Sequence, residues 1–195
     1  MDLDPTPAPA PAPAPAARSR ETLQQCWHRL ADGGPSWTLD VLDVLEPYVL
    51  GRPDHPGDVV RYRDLSWTAA AALLQRVPPG HLRDKQNSAP SLGAVLVAAV
   101  GHPAEVEVHG YLVPPCRPDE RIAAEGIVVY DHPELEEFRL VDDDAPCAQT
   151  GCECRAFWSS VQASFGLADA GGGPQVIAPR TCRRTGRRGW YLWWT

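Results

Sequence analysis

The spacing of apolar residues changes once along the chain, near Pro103, and the change divides helices from strands. Before it, apolar positions recur every three to four residues. Leu23, Cys26, Trp27 and Leu30 share one face of a segment from Arg20 to Ala31, which Ser19 can cap and Gly33 and Pro35 end. Leu39, Leu42, Leu45 and Val49 continue the helical period from Thr38 to Val49, although Pro47 falls inside it. Trp67 to Val77 is the strongest helical signal, with Ser66 as its cap, four alanines, and Pro78-Pro79 as its stop. Ser91 to Val100 predicts a further, buried helix. Residues 51–57 and 79–90 read as loops, and Val59 to Tyr62 as a short strand.

After Pro103 the period becomes two. Val106, Val108, Gly110 and Leu112 alternate with Glu105, Glu107, His109 and Tyr111, which predicts a half-buried strand. Arg121 to Tyr130 predicts its antiparallel neighbour across the loop 114–119. Each strand holds one interior glycine, Gly110 and Gly126, a mark of a bulge, a bend or close backbone approach. Pro133 to Phe138 suggests a single helical turn and Ala156 to Phe165 a short helix. Gln175 to Ala178 and Gly189 to Trp194 read as two strands joined by an arginine-rich loop. The expected fold is α+β: a helical part over 19–102, then a β-rich part over 103–195 built on a curved antiparallel sheet. Bend glycines in such a sheet permit an OB-like partial barrel.

Composition changes this picture at the ends. Residues 5–17 alternate proline and alanine and lack a periodic apolar face, so residues 1–18 are expected to be a disordered, polyproline-like tail outside a single domain over 19–195. The N-terminus has no basic-then-apolar signal pattern, and no apolar run is long enough to span a bilayer. Both point to a reducing cytoplasm, where six cysteines stay thiols or bind metal.

Three of those cysteines, Cys147, Cys152 and Cys154, fall within eight residues. With Cys182 as a fourth ligand they make a candidate zinc site, and His132 is a reserve ligand. The spacing is not that of a two-knuckle ribbon, so reduced thiols without metal remain the alternative.

Net charge is unevenly spread: residues 101–145 hold twelve acids against three arginines, and residues 146–195 carry six arginines against two acids. Arg183, Arg184, Arg187 and Arg188 crowd into one loop, followed by Tyr191 and Trp193. Arginine forks bind phosphate and aromatic rings stack on unpaired bases, so these six residues form a candidate contact for single-stranded nucleic acid. In the competing reading, Trp190 and Trp194 anchor the core. Two other functions stay open. One is a protein–protein adaptor in which the acidic 131–144 stretch pairs with the basic C-terminus. The other is an enzyme with a site near His109, Glu107 and Cys116. No phosphate-binding glycine loop, serine elbow or paired-histidine metal motif is present in the sequence.

Overall fold

The computed structural model describes residues 22–30, 36–115, 117–130 and 153–195. Its helices begin where serine can cap them. Ser66 and Ser91 both adopt extended backbone, and their hydroxyl oxygens accept the N–H groups of Ala69 and Ala94 at 3.5 and 3.3 Å. These bonds satisfy donors left open by the first turn of α3 (Trp67–Arg76) and α4 (Leu92–Gly101). The helix α1 spans Leu23–Leu30 and buries Leu23, Cys26 and Trp27.

The helix expected over Thr38 to Val49 is not continuous. It breaks into a 3-10 turn, Trp37–Val41, one α turn, α2 (Leu42–Leu45), and a second 3-10 turn, Glu46–Tyr48. Pro47 brings no N–H and crowds the preceding turn, so the α-helical ladder stops just before it. The first of these turns is fastened to the β-rich half. Thr38 donates its main-chain N–H (2.9 Å) and its hydroxyl (2.7 Å) to Oε1 of Glu120.

Five strands follow: β1 (Val60–Leu65), β2 (Val106–Val113), β3 (Arg121–Tyr130), β4 (Val176–Thr181) and β5 (Arg188–Trp193). They form one antiparallel sheet in the order β1-β2-β3-β5-β4, and the sheet does not close. The helix α5, Cys154–Ser164, precedes β4. β4 runs beyond its expected end at Ala178 and contains Pro179, which an edge strand tolerates because its free side owes no ladder bond.

Helices cover one face of the sheet. There Tyr62, Val108, Leu112, Ile127, Val129 and Leu192 pack with Leu73, Leu92 and Leu96. Trp194, 1 % exposed, stands edge-on to Trp158 with ring centres 5.3 Å apart, and Trp190 approaches Phe157 at 6.0 Å. These two tryptophans are therefore core anchors. The opposite face carries a smaller cluster of Val128, Tyr130, Cys182 and Tyr191.

That second face is concave. In a flat sheet, four inter-strand steps would hold β1 and β4 about 19 Å apart. Instead Asp64 on β1 accepts the main-chain N–H of Arg183, just past β4, at 3.4 Å. Tyr48, whose neighbour Val49 bridges Tyr62 of β1, lies under the Arg184 guanidinium at 4.8 Å. Two bulges and three glycines permit the curl. Register shifts between Tyr62 and Leu65, and again between His109 and Gly110. Gly110 lies beneath Tyr62, Gly126 beneath Tyr191 and Gly189 beneath Tyr130. A flat aromatic ring over a bare backbone lets neighbouring strands bend without a collision.

Candidate functional site at the seam of the curled sheet

The curl brings polar groups from four chain segments together. Asp64 sits in the β1 bulge with φ of 56°, a left-handed conformation that aspartate tolerates better than most residues. The bulge also turns its side chain. Strict alternation would put Asp64 on the helix-covered face with Val60 and Tyr62; instead it reaches across the concave face to His109. Oδ1 of Asp64 and Nε2 of His109 are 3.1 Å apart, and the two side chains are 4 % and 1 % exposed. The approach is out of line for a hydrogen bond, so both atoms are buried without one, and so is Nδ1 of His109.

Glu107 and Cys182 complete the group. A carboxylate oxygen of Asp64, one of Glu107 and the Cys182 sulfur all lie within 4.8 Å of one another, so the three could hold a metal ion. Cys182 Sγ donates towards Oε1 of Glu107 at 3.8 Å. The second oxygen of each carboxylate is held from behind: Glu107 Oε2 by the Tyr130 hydroxyl at 2.7 Å, and Asp64 Oδ2 by the Arg183 N–H. Burial, then the Glu107 carboxylate, pushes the Tyr130 phenol well up, so it stays a donor.

Burial lowers the pKa of His109, with Arg180 and Arg63 adding to the effect against the pull of Asp64; the imidazole is neutral near pH 7. Burial works the other way on Asp64, but its contact with His109 and the Arg183 N–H outweigh that cost and hold the carboxyl below its ordinary range.

Arginines border this cluster. Arg63 from β1, Arg180 from β4 and Arg183 from the β4–β5 turn come close enough that burial and their mutual repulsion lower the pKa of Arg63. None of the three has a carboxylate within ion-pair distance among the described residues, whereas Arg61 pairs with Glu125. The Arg180 guanidinium lies 5.1 Å from the centre of the Tyr191 ring, and its Nε is buried without a partner.

The residues singled out from sequence fall differently. Cys147 and Cys152 lie outside the described residues, as do Cys116, His132, the acidic 131–144 stretch and the tail. Cys154 begins α5, where burial raises its thiol pKa, and it is not in the group around Cys182. Cys182, 1 % exposed, meets carboxylates where thiols were expected. Arg184 is drawn to Tyr48. Arg187 lies over Tyr130 at 4.6 Å and donates to the Ala104 carbonyl. Arg183 and Arg188 are exposed. Tyr191 is no open platform. It is sandwiched between Arg180 and the His109 ring, 5.2 Å away, and burial pushes its phenol up to about 12. Trp193 is part-buried opposite Gly126.

Sequence reasoning found His109 and Glu107 on the polar face of β2 and placed Arg180 in the arginine-rich segment without making it a contact, but missed Asp64 and Arg63. The cluster of Arg61, Arg63 and Asp64 in so short a strand was the available signal. Among the described residues no helix is long and apolar enough to cross a membrane. Comparison with protein families, with curated proteins and with solved structures gives no match, so the chemistry of these residues carries the functional reading.

Proposed function

We propose that the protein binds a phosphate-rich polymer, single-stranded nucleic acid, along the seam where β1 meets the β4–β5 turn. The observation that carries this is the trio Arg63, Arg180 and Arg183, crowded together with no carboxylate within ion-pair distance among the described residues. Like charges at such range repel, and the arrangement is stabilised by an anion placed between them. Arg61 precedes Arg63 by two residues on β1, about 6.8 Å along the strand, and exposed Arg188 extends the basic surface on β5. An extended phosphate backbone can follow such a row. The arginines originally expected to do this work change in part: Arg183 and Arg188 stay, Arg184 and Arg187 serve to tie the turn down, and Arg63 and Arg180 join. For the ion that Asp64, Glu107 and Cys182 can hold, zinc is the best match, because a thiolate among the donors favours it over magnesium or calcium.

The test is fluorescence anisotropy of a labelled oligothymidine across a salt series. Affinity falls with salt, and Arg63→Ala with Arg180→Ala lowers the log–log slope by about 1.4, or 0.7 per lost single-strand phosphate contact. No binding at low salt, or an unchanged slope in the double variant, refutes the reading. In that outcome the acidic 131–144 stretch, or an acidic protein partner, is the better ligand for these arginines.

A further inference from the structure

The concave face holds more donors than its own hydrogen bonds use. We infer that Asp64, Glu107 and Cys182 form a zinc site whose fourth position is left to a water, and that the ion clasps the β4–β5 turn to β1. This does not rest on the nucleic-acid reading.

Three observations converge on it. The first is the donor set, one thiol and two carboxylates, which with one water suits tetrahedral zinc. The second is spacing. Two donors on one such ion stand about 3.3 to 3.5 Å apart. Cys182 Sγ and Glu107 Oε1 are separated by 3.8 Å, and Asp64, Glu107 and Cys182 present ligand atoms that all lie within 4.8 Å of one another. The third is the unused valence. Oδ1 of Asp64 is buried without a hydrogen bond, and its neighbour at 3.1 Å is Nε2 of His109, which is neutral near pH 7. A buried carboxylate oxygen in that state is satisfied by a metal ion. Buried polar groups left unsatisfied are otherwise costly.

The surroundings fit a ligand shell. Each carboxylate has one oxygen fixed from behind, by Tyr130 or by the Arg183 N–H, which leaves the other oxygen turned to the shared point. On binding, the protons of the Cys182 thiol and of any protonated carboxyl leave to solvent, and zinc accepts one lone pair from each of the three side chains and one from a water. Two carboxylates and a thiolate leave the loaded site with one net negative charge, which Arg63, Arg180 and Arg183 offset.

The consequence is mechanical. Asp64 belongs to one edge strand, Glu107 to β2, and Cys182 to the turn that follows the other edge strand. An ion on all three prevents the turn from lifting away. That turn holds Arg183, Arg184 and Arg187, so trypsin reports on its opening.

Cobalt(II) titration of the full chain reads the ligands directly, through the thiolate-to-cobalt charge-transfer band. The band is expected to saturate at one equivalent, to survive in Cys147→Ser/Cys152→Ser/Cys154→Ser, and to vanish in Cys182→Ser. Asp64→Asn, in which Cys182 is intact, is expected to keep a weakened band and bind cobalt more loosely. With zinc at ten times its Kd, tryptic cleavage after Arg183, Arg184 and Arg187 is expected to slow about elevenfold, since the open population falls by 1 + [Zn]/Kd. A circular-dichroism spectrum matching wild type in metal-free buffer confirms that each variant folds. The inference is overturned if no band forms, if the band persists in Cys182→Ser and disappears in the triple variant, or if zinc leaves cleavage of the turn unchanged.

Discussion

Replacing Gly110 by alanine puts the curl of the sheet to a direct test. A Cβ at that position would stand 1.9 Å from the Ala123 carbonyl oxygen and 2.5 Å from the Tyr62 hydroxyl. Those two groups are bonded to each other at 2.9 Å, so the methyl would wedge between a buried donor and its acceptor. Neither can yield cheaply. The carbonyl belongs to the β2–β3 ladder, and Tyr62 is 1 % exposed. Loss of the hydrogen bond with its groups still buried costs about 1–3 kcal/mol. Forcing a methyl into a filled space costs about 1–3 kcal/mol more. Reduced freedom of the unfolded chain returns about 0.4–1 kcal/mol. The net loss is about 3 kcal/mol, a fall in Tm of about 6–12 °C for a domain of this size. Gly101→Ala is the control: nothing lies within 4 Å of its Cβ, it closes α4, and its expected effect is neutral to slightly stabilising. Tyr62→Phe in the Gly110→Ala background removes the nearer tyrosine atom but not the carbonyl, so little stability returns. Urea unfolding of the four proteins gives the values. A Gly110→Ala protein as stable as wild type would refute the packing of Tyr62 over a bare backbone.

The remaining predictions concern titration and capping. His109 has a folded pKa below its unfolded value near 6.5 because it is buried, so its contribution is fully present above pH 6.5 and is lost as pH falls below it. In metal-free buffer, wild type should lose up to about 1.4 kcal/mol more than His109→Gln between pH 7.5 and 5.5 by urea unfolding; equal losses would contradict it. Ser91→Ala should cost about 1 kcal/mol in thermal melts through loss of the α4 cap. Ser66→Ala should cost more, because its hydroxyl also meets the Tyr48 hydroxyl at 2.7 Å.

Local signals and the sites differ in how far the chain discloses them. α3 and α4 were legible because cap, alanine content and stop residues agree within a dozen positions. β2 was legible from alternation, although the half-buried strand expected there is buried on both faces because the curl covers His109 and Tyr111, and Gly110 and Gly126 correctly marked close approach. Asp64 was hidden for a definite reason: the β1 bulge shifts the parity of the strand, and a period-two reading assigns the residue to the wrong face. Arg63 and Arg180 are separated by 117 positions and belong to opposite edge strands, so only the curvature of the sheet makes them neighbours. Cys182 was matched to other thiols by residue type; of its neighbours among the described residues, Asp64 and Glu107 come from strands that hold no cysteine and gave that matching no lead. The break in the Thr38 to Val49 helix was written in Pro47, which the apolar period there masked.

An open five-stranded sheet has two free edges, and free edges invite a second chain to add a strand. Both are blunted here. On the outer side of β1, Val49 bridges Tyr62 and Leu50 donates its N–H to the Arg61 carbonyl, so part of that edge is already taken. On the outer side of β4, Pro179 brings no N–H to offer an incoming strand. Arg61, Arg63 and Arg180 add cations that two identical edges would have to press together. Self-association by strand addition is therefore opposed at both ends of the sheet, and the protein can hold its edge strands unclosed without polymerising through them.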